Sequence, residues 1–365
     1  MNFEPILELA IQIQQIPAPT FAESQRAEFV RHMFEREQLA DVESDPTGNV
    51  YARLKGTSPS ARPLIISAHL DTVFPPETNL QLTRLPDRLI GPGIGDNSLG
   101  VAGLLGLLWL LRERRINLPG DLWLVANVCE EGLGDLRGMK AVVERFGPAI
   151  QAYIVLEGMA LGYIYHRALS VERYRIQAKT AGGHSWKDYG QPSAIHELAG
   201  LVTRLTSLSL PTSPRTTLNV GKFIGGTSVN VLAAEAWLEL DLRSESTTTL
   251  SKVTAQVHEL VKASERPGVR FSIHPLSTRP SGELHASHPL VCLAENSLRQ
   301  QGILPVLTIG STDANIPLSQ GYPAVCIGLT TGSGAHTTEE FIHTSPLKAG
   351  MEQLFHLVTK IWEST

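Results

Sequence analysis

The sequence predicts an α/β fold with a mostly parallel central sheet, plus a smaller inserted α/β domain built on an antiparallel sheet. Three observations carry this. Short apolar runs, each the length of a buried strand, alternate with helical stretches. Those runs lead into histidines and carboxylates, and ligands collect at the carboxyl ends of parallel strands. The last such residue, His336, lies 179 positions after Glu157 (336 − 157), more chain than two further strands and helices need.

The elements follow in order. Ile6, Leu9, Ile13 and Ile16 recur at helical spacing and predict an amphipathic N-terminal helix. Leu64-Ile65-Ile66 predicts a strand running into His69, and Asp71 falls on the same strand face. Ser98 to Arg112 predicts a buried helix, because its apolar stretch is too short to span a membrane. Leu122 to Val125 leads through Val128 to Glu130 and Glu131. Tyr153 to Leu156 leads to Glu157, and Ala324 to Ile327 precedes the loop carrying His336. A helix over Ser345 to Trp362 closes the chain.

Between them, Val171 to Lys179, Ala236 to Leu242 and Val269 to Ile273 read as strands. Ser193 to Leu208 and Thr248 to Ala263 read as helices. This β-α-β-β-α-β-like order suits a separate small domain. The predicted division is 1–167 and 280–365 for the main domain, with 168–279 inserted.

The chain has 365 residues and 42% hydrophobic content, enough for two cores. A net charge of −5 without a basic run argues against a nucleic-acid partner. The N-terminus lacks a basic start and a cleavage site, and no membrane partner is expected. Cys129, Cys292 and Cys326 make no disulfide framework and read as small buried apolar residues. The expected location is cytoplasmic.

The chemistry rests on His69, Asp71, Asp96, Glu130, Glu131, Glu157 and His336. Imidazoles and carboxylates suit a metal site, and these exceed what one tetrahedral ion needs. Two ions sharing a carboxylate, with one carboxylate left to move a proton, would use them all. His69 reads as a ligand with Asp71 fixing its tautomer, or else as a buried His beside a solvated Asp. Asp96, after Gly91, Gly93 and Gly95, reads as a ligand or as a turn residue, with Asn97 or Ser98 placed to cap the next helix. Adjacent carboxylates at a strand end point opposite ways, so one of Glu130 and Glu131 can bind metal while the other faces substrate. The plainer reading of that pair is an acidic turn.

In order, H-L-D-T-V, G-D-N-S-L-G, E-E-G-L-G-D-L-R-G, G-G-H-S and a late G-A-H resemble the M20 family of metallopeptidases. The resemblance implies a dizinc exopeptidase-like catalytic domain and an inserted lid domain through which homodimers form. It implies two Zn2+ per chain, with Co2+ or Mn2+ as alternatives. His69, Asp96 and Glu157 would hold one ion; Asp96 would bridge to a second held by Glu131 and His336. Glu130 would be the general base and Asp71 would orient His69. His184 would stabilise the oxyanion, often in the partner subunit's site. Asn230 and Arg243 would bind a substrate carboxylate, and Ser311, Thr312 and Asp313 would lie near the substrate.

The expected activity is amide hydrolysis in small peptides. N-acyl amino acid deacylation is the alternative. A silent binding protein would most easily have lost Glu130 or a ligand, and none is missing. An aminopeptidase built on the bare catalytic domain would not need the long insertion.

Overall fold

The strand Leu64–His69 is apolar along its whole length, and every residue in it is buried. It sits inside a nine-stranded sheet and pairs in parallel with Leu122–Asn127 on one side and Ala152–Glu157 on the other. The structure is a computed structural model, and it describes residues 2–363. Ala324–Gly328 continues the parallel run beside Ala152–Glu157. Antiparallel strands close both flanks: Ala40–Ser44 and Val50–Leu54 beyond Leu122–Asn127, and Tyr163–Ala168 with Gly282–Glu283 beyond Ala324–Gly328. The central strands therefore deliver their carboxyl ends side by side, as the sequence predicts.

The helix Leu99–Glu113 packs against this sheet and against the helices Glu4–Gln14 and Leu347–Lys360. Leu104, Leu105, Leu107, Leu108 and Leu111 are fully buried. Each such side chain contributes about 1.5–3 kcal/mol by leaving water. The stretch Ile94–Glu113 is long and apolar enough to cross a membrane, but 89% of its most apolar window is buried inside the chain.

Contacts divide the chain into two compact units, one ending at Ala168 and resuming at Gly282, the other Leu169–Ser281. The second unit has a four-stranded antiparallel sheet in the order Thr216–Gly225, Glu235–Ser244, Ser170–Lys179, Arg270–Arg279. The helices Ala194–Thr206 and Thr247–Ala263 bury Leu198, Leu201, Val253 and Val257 against Ile176, Leu238 and Leu240.

Three features differ from the sequence-based expectation. Thr216–Gly225 is a full strand at the sheet edge; its inward alternation of Thr216, Leu218 and Val220 is short and breaks at a register shift between Val220 and Lys222. The last strand continues to Arg279, past a break in register between Pro275 and Ser277. A small sheet of Thr83–Arg84, Arg88–Ile90, Phe341–His343 and Gly332–Ser333 had no sequence signal, and it ties the Asp96 loop to the His336 loop.

Candidate metal centre

His69 ends its strand and is only 2% exposed. Its Nδ1 donates to the backbone carbonyl of Asp71 at 3.0 Å, which orients the ring and turns Nε2 toward the carboxylates. Nε2 lies 3.1 Å from Asp96 Oδ1 and 3.7 Å from Glu157 Oε2. The strand assignment ends at His69, but Leu70 N–H still donates to the Asn127 carbonyl at 2.7 Å, and the Asp71 side chain comes up beside the His69 ring. The Asp71 carboxylate sits 3.6 Å from Nδ1 and accepts instead from the backbone N–H groups of Glu130 (2.9 Å) and Glu131 (2.8 Å) and from Thr20 Oγ1 (2.9 Å).

Asp96 leaves a loop that only glycines permit. Gly93 has φ +73°, and a Cβ on Gly95 would meet Met159 Cγ at 2.6 Å and Ile342 Cγ2 at 2.8 Å. Asp96 splits its carboxylate, with Oδ1 toward His69 and Oδ2 3.2 Å from His336 Nε2. Neither Asn97 nor Ser98 caps the following helix, which starts without a side-chain cap. Asn97 Nδ2 donates to the Leu156 carbonyl and its Oδ1 accepts from Gly158 N–H, both at 2.8 Å. Its side chain is thereby committed to holding the strand end that presents Glu157.

The Glu pair is not at the strand end itself. The strand Leu122–Asn127 stops earlier, and Cys129, at φ +59°, turns the chain before Glu130 and Glu131. Both glutamates are buried. Glu131 Oε1 lies 3.2 Å from His336 Nε2. His336 has φ +66° and a side chain 55% exposed, so it forms the rim. Ligand atoms of His69, Asp96 and Glu131 all lie within 4.8 Å of one another.

Electrostatics fit a cation. Asp96, Glu131 and Glu157 pair with imidazoles and, among the described residues, with no lysine or arginine. Burial pushes Glu157 up to about 7 against the pull of His69, with the charges of Asp96 and Asp313 adding to the rise. Burial likewise opposes ionisation of Asp96, but hydrogen bonds from His336 and His69 hold it well below the carboxylate range. Hydrogen bonds to Asp96 and Glu131 raise His336 to about 10. Burial works against a charge on His69, yet Asp71, Asp96 and Glu157 still raise its pKa well above the usual value. Crowded carboxylates paired only with imidazoles are the donor set of a divalent ion. The cluster thus fits a metal.

The other predicted residues lie in different places. Asp313 is fully buried, and its Oδ2 accepts from Asn127 Nδ2 at 2.7 Å. That contact ties it to the end of the strand Leu122–Asn127. Thr312 shapes the turn before the short helix Asn315–Ser319: its Oγ1 accepts from Ala314 N–H at 3.2 Å, while its own N–H donates to Asn315 Oδ1 at 3.0 Å. Ser311 precedes it, half-buried. His184 and Asn230 belong to the second unit and meet there, since Gly183–His184 pairs with Val231–Leu232 and Ser185 N–H donates to the Asn230 carbonyl at 3.1 Å. Arg243 is not with them. It lies near the other end of Glu235–Ser244, opposite Val171, with Nε 3.0 Å from Asp241 Oδ1. Cys129 and Cys326 are buried, but Cys292 is half-buried, against expectation.

Sequence reasoning missed several supports. Glu340 is fully buried and accepts three backbone N–H groups of the Asp96 loop. Glu23 Oε1 accepts from Cys129 N–H at 3.1 Å. Arg26, buried, donates to the carbonyls of Ile16 and Leu70. The available signals were TTEE just after His336 and the charged pair Glu23 and Arg26 beside an apolar helix face.

A family model described as Peptidase family M20/M25/M40 matches residues 65–360. The chain belongs to this peptidase family. As an M20 protein it is a hydrolytic enzyme. The succinyl-diaminopimelate desuccinylase of Corynebacterium glutamicum is 24% identical over 349 residues, spanning 92% of this M20 chain and 91% of that protein. A tripeptidase structure from Staphylococcus aureus has a TM-score of 0.82 at 21% identity, over 100% of this chain and 99% of the other. A dinuclear metal-binding M20 peptidase from Bacillus subtilis has a TM-score of 0.71 at 18% identity, over 99% and 98%. These structural likenesses establish the shared fold.

Proposed function

We propose that this M20 enzyme is a two-metal exopeptidase that hydrolyses an amide bond in small peptides. One observation carries the reading: Asp96 turns its two oxygens to two different imidazoles, those of His69 and His336. A carboxylate so placed can bridge two ions. His69, Asp96 and Glu157 would hold one, and Asp96, Glu131 and His336 the other, with Zn2+ favoured by the N/O donor set and Co2+ or Mn2+ as alternatives. Bound ions supply Lewis acidity and lower the pKa of the attacking water.

The chain's own groups do the rest. Glu130 takes a proton from that water and returns it to the leaving amine. Asp71 holds the Glu130 and Glu131 backbone in place. His184 Nδ1 accepts the Trp186 N–H at 3.2 Å, so a neutral ring carries its proton on Nε2, ready to donate to an oxyanion. Asn230 and Arg243 bind the substrate carboxylate. Within 169–281, Arg243 lies opposite Val171 in the four-stranded sheet, while His184 stands apart in the two-stranded sheet with Val231. That separation favours two chains completing one site, with 169–281 as lid and dimer contact. Free cysteines fit a reducing, cytoplasmic setting.

A second reading is N-acyl amino acid deacylation, supported by the similarity to the desuccinylase. The test is metal analysis together with a substrate panel. Approach to two equivalents per chain and turnover of di- or tripeptides supports the first reading. Turnover confined to N-acetyl or N-succinyl amino acids overturns the peptidase assignment. A stoichiometry that stays at one after metal addition overturns the two-metal site.

A further inference from the structure

Glu340 lies four residues after His336 (340 − 336) and is fully buried. Its Oε1 accepts the N–H groups of Gly95 at 2.6 Å and Asp96 at 2.8 Å, and its Oε2 accepts that of Gly93 at 3.1 Å. Its backbone carbonyl accepts Gly91 N–H at 2.8 Å. The left-handed turn at Gly93 makes these donors converge, and such a concavity binds an anion. A buried carboxylate is costly to desolvate, and a loop tie alone does not require the charge.

These contacts close a ring. Asp96 N–H binds Glu340, Asp96 Oδ2 faces His336 Nε2, and the chain from His336 returns to Glu340. His69 and Glu157 are fixed separately, by the ends of two sheet strands. We propose that Glu340 is the positioning residue that sets Asp96 against His336, and so builds the metal position shared by Asp96, Glu131 and His336. This rests on the two-metal reading. The other position, anchored by His69 and Glu157, depends on Glu340 less.

The test is Co2+ titration of metal-free wild type, Glu340→Gln and Glu340→Asp, followed by visible absorption and chelator competition. Gln keeps the shape, but its amide group would face the Gly93 N–H, donor against donor. Asp keeps the charge but loses a methylene of reach. The expected result is two equivalents for wild type. Glu340→Gln should bind the first within about 3-fold of wild type and the second about 10- to 100-fold more weakly, with an altered cobalt spectrum. Glu340→Asp should fall between the two. Unchanged binding of both ions by Glu340→Gln overturns the assignment, as does equal weakening of both. Loss of the folded circular dichroism signal by both metal-free variants also overturns it, by making Glu340 a residue of the fold. A wild type limited to one equivalent overturns the two-metal reading itself, which separates that failure from failure of Glu340.

Discussion

Asp71 holds Glu130 by its backbone: the Asp71 Oδ1 accepts the Glu130 N–H at 2.9 Å, while Oδ2 takes that of Glu131 at 2.8 Å. One buried carboxylate thus fixes both members of the acidic pair and lies beside the ring of His69. Asp71→Asn should therefore do more than disturb the imidazole. An amide can accept one of the two N–H groups and turns a donor toward the other. An unsatisfied buried donor costs about 1–3 kcal/mol. Thermal unfolding should show a lower Tm, and kcat should fall about 10- to 100-fold. A variant with native Tm and native kcat would remove Asp71 from this role.

Glu130→Gln keeps the shape of the side chain and removes the base proposed above. Steady-state assays should show turnover lower by roughly 10²-fold or more. Metal content by elemental analysis should barely change. Loss of metal would instead mean that Glu130 and Glu131 have exchanged roles.

His184 is exposed, and its Nδ1 is taken up by the Trp186 N–H. His184→Ala should lose about 10²–10³-fold in turnover with full metal content. Mixing His184→Ala chains with Glu130→Gln chains tests where it acts. If His184 serves the partner's site, each mixed dimer has one site free of both defects and activity partly returns. Verified mixed dimers with no recovery would place its action within its own chain.

Thiol labelling of the native protein should modify Cys292 alone. Burial raises Cys129 to about 12 and raises Cys326 well above the usual thiol value, so neither offers thiolate near neutral pH. Mass spectrometry after brief alkylation at pH 8 reads this directly. Cys129 labelled as fast as Cys292 would show that the Glu130 loop opens readily.

The strands that present His69 and Glu157 were legible because burial on both faces writes itself as a continuous apolar run. Thr216–Gly225 was not, since an edge strand with exposed residues has no such pattern. Asn97 looked like a cap because short polar residues before a helix usually are. Its actual partners, Leu156 and Gly158, lie in another strand and the turn after it. Glu340 was invisible for the same reason: its acceptors serve donors 244 to 247 positions away. The order of the ligands along the chain survives in sequence. The left-handed turn at Cys129, which aims Glu130 and Glu131, arises from contacts that sequence spacing does not encode.

The slot occupied by Ala324–Gly328 has a consequence for biosynthesis. That strand inserts between Ala152–Glu157 and Tyr163–Ala168, both made long before it. From Ala168 to Ala324 the ribosome adds 156 residues (324 − 168), which takes about 10–30 s at roughly 5–20 residues per second. Throughout that interval the nascent sheet has an open seam beside the Glu157 strand, with backbone N–H and C=O groups along its edge unpaired and prone to capture by other chains. His336 and Glu340 follow that strand in the chain, so the position proposed for Asp96, Glu131 and His336 is the last part of the site to be made.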